Sequence, residues 1–167
     1  MLGNLARSEG DLKAAFAAED WQQITQLLLQ QENSNRICGA EINSITSILQ
    51  QQLLSQTLRL IFLISDTSAG QKIGKILKLY YEDMHNPFHF KNVEVRVLNG
   101  LRDDDVRAFK QQGLKNLVHE ISKECRNFSA EAIAINATGG YKAQISFAGM
   151  VGQALGIPVY YLFELFS

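Results

Sequence analysis

From residue 58 onward, short apolar runs alternate with stretches of helical spacing, and that alternation leaves the chain few architectures. "LRLIFLIS" (58–65), "VEVRVL" (93–98), "EAIAIN" (131–136) and "PVYYLFE" (158–164) have the length and residue types of strands. Between them, Ile73, Ile76, Leu77 and Tyr80 recur at helical spacing. Val106, Phe109, Leu114, Leu117 and Ile121 do so across 104–126, and "YKAQISFAGMVGQAL" (141–155) forms a third helical segment. The order β-α-β-α-β-α-β predicts an α/β chain: a Rossmann-like three-layer α/β/α fold with a mostly parallel sheet and right-handed crossovers. Most of the strands read as near-continuous apolar runs, as strands covered on both faces do.

The first third is different. Leu12, Phe16, Trp21, Ile24, Leu27 and Leu28 mark helical spacing over 11–31, with Asp20 able to begin a second helix after a short break. "ENSNR" is a polar joint, and Ile42, Ile45, Ile48 and Leu49 mark a further helix over about 38–54. A single domain over 1–167 is expected, with a helical part at 1–55 and the β-α core at 56–167. No repeat, low-complexity block or proline-rich linker divides it, and the chain has only two prolines.

Charge and composition exclude several functions. A net charge of −1 argues against a groove that tracks long nucleic acid, though not against one small anion held locally. No apolar run reaches the length of a membrane span, and no signal peptide opens the chain, so a cytoplasmic protein is expected. Cys38 and Cys125 match no metal or redox spacing and read as free thiols in a reducing compartment. No cofactor is expected: no Gly-x-Gly-x-x-Gly follows the first strand. No metal site is expected either.

In sheets of this kind ligands bind at the carboxyl ends of the strands. That rule selects three loops: 65–70, 99–104 and 136–142. The third reads Asn136-Ala-Thr138-Gly139-Gly140-Tyr141-Lys142. Its glycines can take positive φ, and without Cβ atoms they let a ligand approach the backbone. The first N–H groups of the following helix are unpaired and attract anions. Lys142 in the first turn is unfavourable for the helix alone and favourable beside an anion. The competing reading is a plain glycine turn with Thr138 as helix cap and Lys142 in solvent. The helix that follows carries Ala143, Ile145, Phe147, Ala148, Met150, Val151, Ala154 and Leu155 and is apolar nearly all round. A second subunit or the N-terminal helices must then cover its far side.

"NATGGYKAQISFAGMVGQALGIPVYYLFE" resembles the signature of CRISPR-associated Rossmann-fold (CARF) domains. "FLISDTSAGQKIGKIL" (62–77), "VRVLNGLRDDDVRAFKQQGLKNLVHEI" (95–121) and "GAEINSI" (39–45) agree, so the resemblance covers roughly 36–164. It implies a cyclic oligoadenylate-binding sensor of a type III CRISPR antiviral system in a prokaryotic cytoplasm. The ligand, most often the four-membered ring, would lie across the two-fold axis of a homodimer. The ligand-binding residues it implies are Ser65, Asp66, Thr67 and Ser68 of the first loop, and Asn136, Thr138, Gly139, Gly140, Tyr141 and Lys142 of the third. Asp66 or Thr67 is equally suited to cap the next helix. Asp103 to Asp105 suit the dipole of the helix after them.

Two departures from the family pattern stand out. Relatives begin with a strand and loop that help form the pocket, whereas this chain opens "MLGNLARSEGDLKAAF". Many relatives also continue into a nuclease effector, which is not expected here. Two alternatives stay open beside the sensor. One is a metal-independent ring nuclease, in which a ribose 2′-hydroxyl attacks the adjacent phosphorus and Lys142 stabilises the developing charge. The other is a structural dimerisation module. His85 and His89 fall in a loop and His119 on a helix, none placed as an evident base.

Overall fold

The computed structural model describes residues 2–54, 59–102 and 104–163. Leu58, Asp103 and Glu164, named above, lie outside them. The N-terminal part is helical as expected: α1 (Leu2–Ala17), α2 (Trp21–Leu29) and α3 (Ala40–Gln50). Asp20 does begin the second helix, its side chain accepting the N–H of Gln23. The rest runs β1 (Arg59–Ser65), α4 (Ser68–Glu82), β2 (Asn92–Leu98), α5 (Val106–Ala108), α6 (Leu114–Phe128), β3 (Ile135–Asn136), α7 (Lys142–Leu155) and β4 (Val159–Tyr160). A π turn over Phe109–Gly113 joins α5 to α6. Among the described residues no strand precedes Arg59. The chain is a mixed α/β fold with small parallel sheets, compatible with the Rossmann-like class.

The sheet is not continuous, which corrects the expectation of one sheet. β1 pairs with β2 over seven residues, Arg59 opposite Asn92 through Ser65 opposite Leu98, and β3 pairs separately with β4. The second pair is short for local reasons. A 3-10 turn at Ala130–Ala132 takes up the start of the run expected to be strand from residue 131. Pro158 has no N–H for a ladder, although its carbonyl accepts from the N–H of Ile135.

Helices cover the two faces of β1–β2 alternately. On one face Leu60, Phe62, Ile64, Val93 and Val95 pack with Ile76, Leu77, Tyr80 and Tyr81 of α4 and with Ile24, Leu28, Ile42 and Ile45 of the N-terminal helices. Tyr80 and Tyr81 are fully enclosed, and the Tyr80 hydroxyl donates to Asn33 Oδ1 at 2.6 Å. Gly74 of α4 permits this closeness, since a Cβ there would stand 2.7 Å from Ile64. On the other face Leu63 and Leu98 meet Leu117 and Ile121 of α6.

That second face also carries charge. Arg96 of β2 bonds Glu94 on its own strand and both Glu120 and Glu124 of α6 at 2.7–2.9 Å, and Arg59 bonds Glu94 and Glu124. The alternating polar positions of β2 therefore face a helix rather than water. Burial opposes the charge of Arg96, yet its bonds to Glu94, Glu124 and Glu120 outweigh this and hold its pKa above the usual range. Hydrogen bonds from Arg59 and then Arg96 depress Glu94.

α4 and α6 lie on opposite faces of β1–β2, while β3 and β4 form a pair that shares no ladder with them.

Arg96→Met is expected to lower stability by about 2 kcal/mol, because three carboxylates lose a shared partner and solvent screens only part of the loss. The folded pKa of Glu94 lies below its unfolded value near 4.5, so its contribution is present above that pH and is lost as acid protonates it. Thermal melts of both forms should show the gap at pH 7 and its narrowing below pH 4.5.

Candidate functional site

The first two loops at the carboxyl ends close on each other. Asp66 Oδ2 accepts the N–H of Gly100 at 3.1 Å, which ties the β1 loop to the β2 loop. Its other oxygen is buried without a hydrogen-bond partner among the described residues. Thr67, not Asp66, caps α4: its hydroxyl accepts the N–H of Gly70 at 3.1 Å and pairs with Ser65 Oγ at 2.7 Å. Gly70 sits directly on Ser65 and has no room for a Cβ. Of the four first-loop candidates, Ser68 is exposed and its hydroxyl has no hydrogen-bond partner among the described residues. In the second loop Asp105 accepts the N–H groups of Arg107 and Ala108, and Asp104 pairs with Arg102 at 2.6 Å. Both roles are structural.

The third loop is held by a chain of hydrogen bonds that begins outside it. Asn136 Nδ2 donates to Ser44 Oγ of α3 at 2.7 Å. Asn136 Oδ1 accepts the N–H and the hydroxyl of Thr138, at 3.2 and 2.8 Å. The Thr138 hydroxyl in turn accepts the N–H of Leu162 just after β4, at 2.9 Å. Asn136 and Thr138 therefore hold the loop in shape, and Thr138 does not cap α7. Tyr141 is the cap residue, its N–H bonded to Gln144 Oε1 at 3.1 Å. The N–H of Gly140 bonds the Ala137 carbonyl. No acceptor among the described residues holds the N–H groups of Gly139, Lys142 or Ala143.

The glycines serve a different purpose from the one expected. Neither Gly139 nor Gly140 has positive φ. What fills the space beside Gly139 is the Glu41 side chain of α3: a Cβ on residue 139 would stand 2.6 Å from Glu41 Oε1. Glu41 and Ser44 both fall within "GAEINSI", whose sequence hinted at importance without saying what for. Their positions at the third loop come only from the fold.

Lys142 is exposed at the start of α7 and forms no ion pair among the described residues. The helix itself is less buried than its composition suggests. Ala148, Val151 and Gly152 are buried, Gly152 lying against Val159, while Met150 is 59% exposed and Ala143, Ser146, Gln153 and Ala154 also face outward. The N-terminal helices cover α4 and the β1–β2 face rather than this side. Shallow hollows lie beside the end of β2, lined by Asn99, Asn116 and His119, and near Lys78 and Phe90; residues 136–142 line neither.

Cys38 and Cys125 are free thiols, and burial pushes Cys38 up to about 11. His85 pairs with Asp83 in a surface turn and His119 stands on α6 beside Glu120, so both lie apart from the third loop. Among the described residues no group of histidine, cysteine and acidic side chains could hold a metal, and no helix is long and apolar enough to cross a membrane.

Ser44→Ala should detach Asn136 and loosen the loop, at a cost of about 1 kcal/mol. Amide exchange at residues 136–142 should rise with little change in β1–β2. Unchanged exchange there would show that the loop stands without α3.

None of the curated proteins matches the chain. Residues 36–167, which include α3, both strand pairs and the third loop, match the family described as CRISPR-associated protein (Cas_APE2256). With most of its length matched, the chain belongs to that CRISPR-associated protein family.

Proposed function

We propose that the chain is a CARF-type sensor that binds cyclic oligoadenylate across the two-fold axis of a homodimer. The observation that carries the reading is the third loop. It projects from the carboxyl end of β3, and it is braced by Ser44, Asn136 and Thr138. It presents the N–H groups of Gly139, Lys142 and Ala143 and the Lys142 ammonium, none of them paired among the described residues. Such a group attracts a phosphate, and its bracing spares the ligand the entropy of ordering it.

A second copy completes what one chain lacks. Residues 136–142 line neither hollow named above, so a ring held by this loop of one chain alone would lie largely open to solvent. The outward side of α7, with Met150 and small residues that permit close approach, supplies a surface for that copy. A ring of even symmetry matches a two-fold interface, each half meeting the same loop.

Ring cleavage is the second reading, favoured by Lys142, which forms no ion pair among the described residues. The ribose 2′-oxygen would attack the adjacent phosphorus, the bond to the 5′-oxygen would break, and a cyclic 2′,3′-phosphate and a 5′-hydroxyl would form. Linear products from purified protein would establish it, and tight binding without products would leave the sensor.

Titration calorimetry with cyclic tri-, tetra- and hexa-adenylate should give saturable binding of the four-membered ring at one ring per two chains. Lys142→Ala is expected to weaken it about 10- to 100-fold, the size of one charge-assisted hydrogen bond. Absence of binding by all three rings would end the reading. Met150→Asp should turn a dimer into a monomer by light scattering and lower ring affinity together; a wild-type monomer would refute the symmetric site.

A further inference from the structure

The Glu41 carboxylate is lodged between two glycines. Its Oε1 fills the space beside Gly139, and its Oε2 lies 3.6 Å from where a Cβ of Gly39 would be. Gly39 opens α3 with a φ of +86°, so α3 starts abruptly and brings its first acidic residue onto the third loop. The position is fixed. Ser44 Oγ donates to the Glu41 carbonyl at 3.1 Å and accepts from Asn136, so the first turn of α3 and the loop form one unit.

This carboxylate has no hydrogen bond or ion pair among the described residues. Glu32 and Glu131 are also unpaired, but they are exposed, whereas Glu41 is half-buried. Its charge reaches into the core, where it is one of the causes, after burial and Tyr80, that raise the Tyr81 hydroxyl. A half-buried charge without a partner costs free energy, and a ligand donor would recover it.

We infer that Glu41 accepts a hydrogen bond from the ribose 2′-hydroxyl of the nucleotide whose phosphate rests on the third loop, and so makes the site select ribose over deoxyribose. The inference rests on the ligand class proposed above. A carboxylate can only accept, so beside a phosphodiester it repels unless the ligand offers a donor close to that phosphate. An oligoadenylate has two kinds of donor. The 6-amino group lies a nucleoside away from the phosphate. The 2′-hydroxyl is on the carbon next to the one bearing the 3′-phosphate, so a phosphate on the Gly139 amide brings it to the carboxylate in contact with Gly139. The 2′-hydroxyl is also the group by which a protein tells RNA from DNA.

The test compares cyclic tetra-adenylate with its all-2′-deoxy counterpart on wild type, Glu41→Gln and Glu41→Ala, each checked by thermal melting and light scattering. Wild type should prefer the ribose ring at least about tenfold, the size of one charge-assisted hydrogen bond. Glu41→Ala should drop the ribose ring to the affinity of the deoxy ring, with deoxy binding unchanged or tighter. Glu41→Gln, whose amide oxygen still accepts, should keep part of the preference. Preference retained in Glu41→Ala, or tighter ribose binding, would overturn the assignment while leaving the sensor reading intact. So would a dimer lost in both variants, since Glu41 would then belong to the subunit contact. Wild type that binds neither ring overturns the ligand class and this role with it.

Discussion

Parallel strands cannot be joined by a tight turn, and this one constraint organises the molecule. Each strand must be followed by a helix, and the face the helix takes decides the direction of the next strand. α4 takes the face lined by Phe62 and Val93; α6 takes the face lined by Leu63, Glu94 and Arg96. The ion pairs from Arg96 to Glu120 and Glu124 hold the polar positions of β2 against α6, beside the apolar contacts of Leu63 and Leu98 with Leu117 and Ile121.

The third loop depends on α3 as much as on its own residues. Ser44 holds Asn136, Asn136 holds Thr138, and Thr138 holds the backbone of Leu162. Just past α3, the carbonyl of Leu53 accepts from the Tyr160 hydroxyl at 3.4 Å. The N-terminal helices thus fasten the second strand pair to the core of the first, although the two pairs share no ladder. Residues that look like ligand groups in the sequence are in part the scaffold that points the others. The groups left over are three amides, the Lys142 ammonium and the Glu41 carboxylate.

Opposite charges on and beside the third loop would suit a ligand that is itself mixed. A nucleotide carries anionic oxygens and neutral hydroxyl donors a few bonds apart, and a site of one sign alone would recognise only half of it. The outward side of α7 fits the same picture: Gly149 has open space before it, and Met150 is exposed. A helix with small residues and one flexible apolar side chain can accept a close neighbour.

The sequence by itself determined the element order, the parallel pairing and the position of the glycine loop, because periodicity and turn residues act over a few neighbours. The helix start at Asp20 was legible for the same reason, a short side chain that can accept an adjacent N–H, whereas the sequence left the next cap open between Asp66 and Thr67 and the structure chose Thr67. Two things were decided only by the tertiary structure. The break between the strand pairs depends on backbone ladders that β3 and β4 are too short to extend. The meeting of Glu41 with Gly139 joins residues nearly a hundred positions apart, and no local pattern records which side chain will fill the space a glycine leaves.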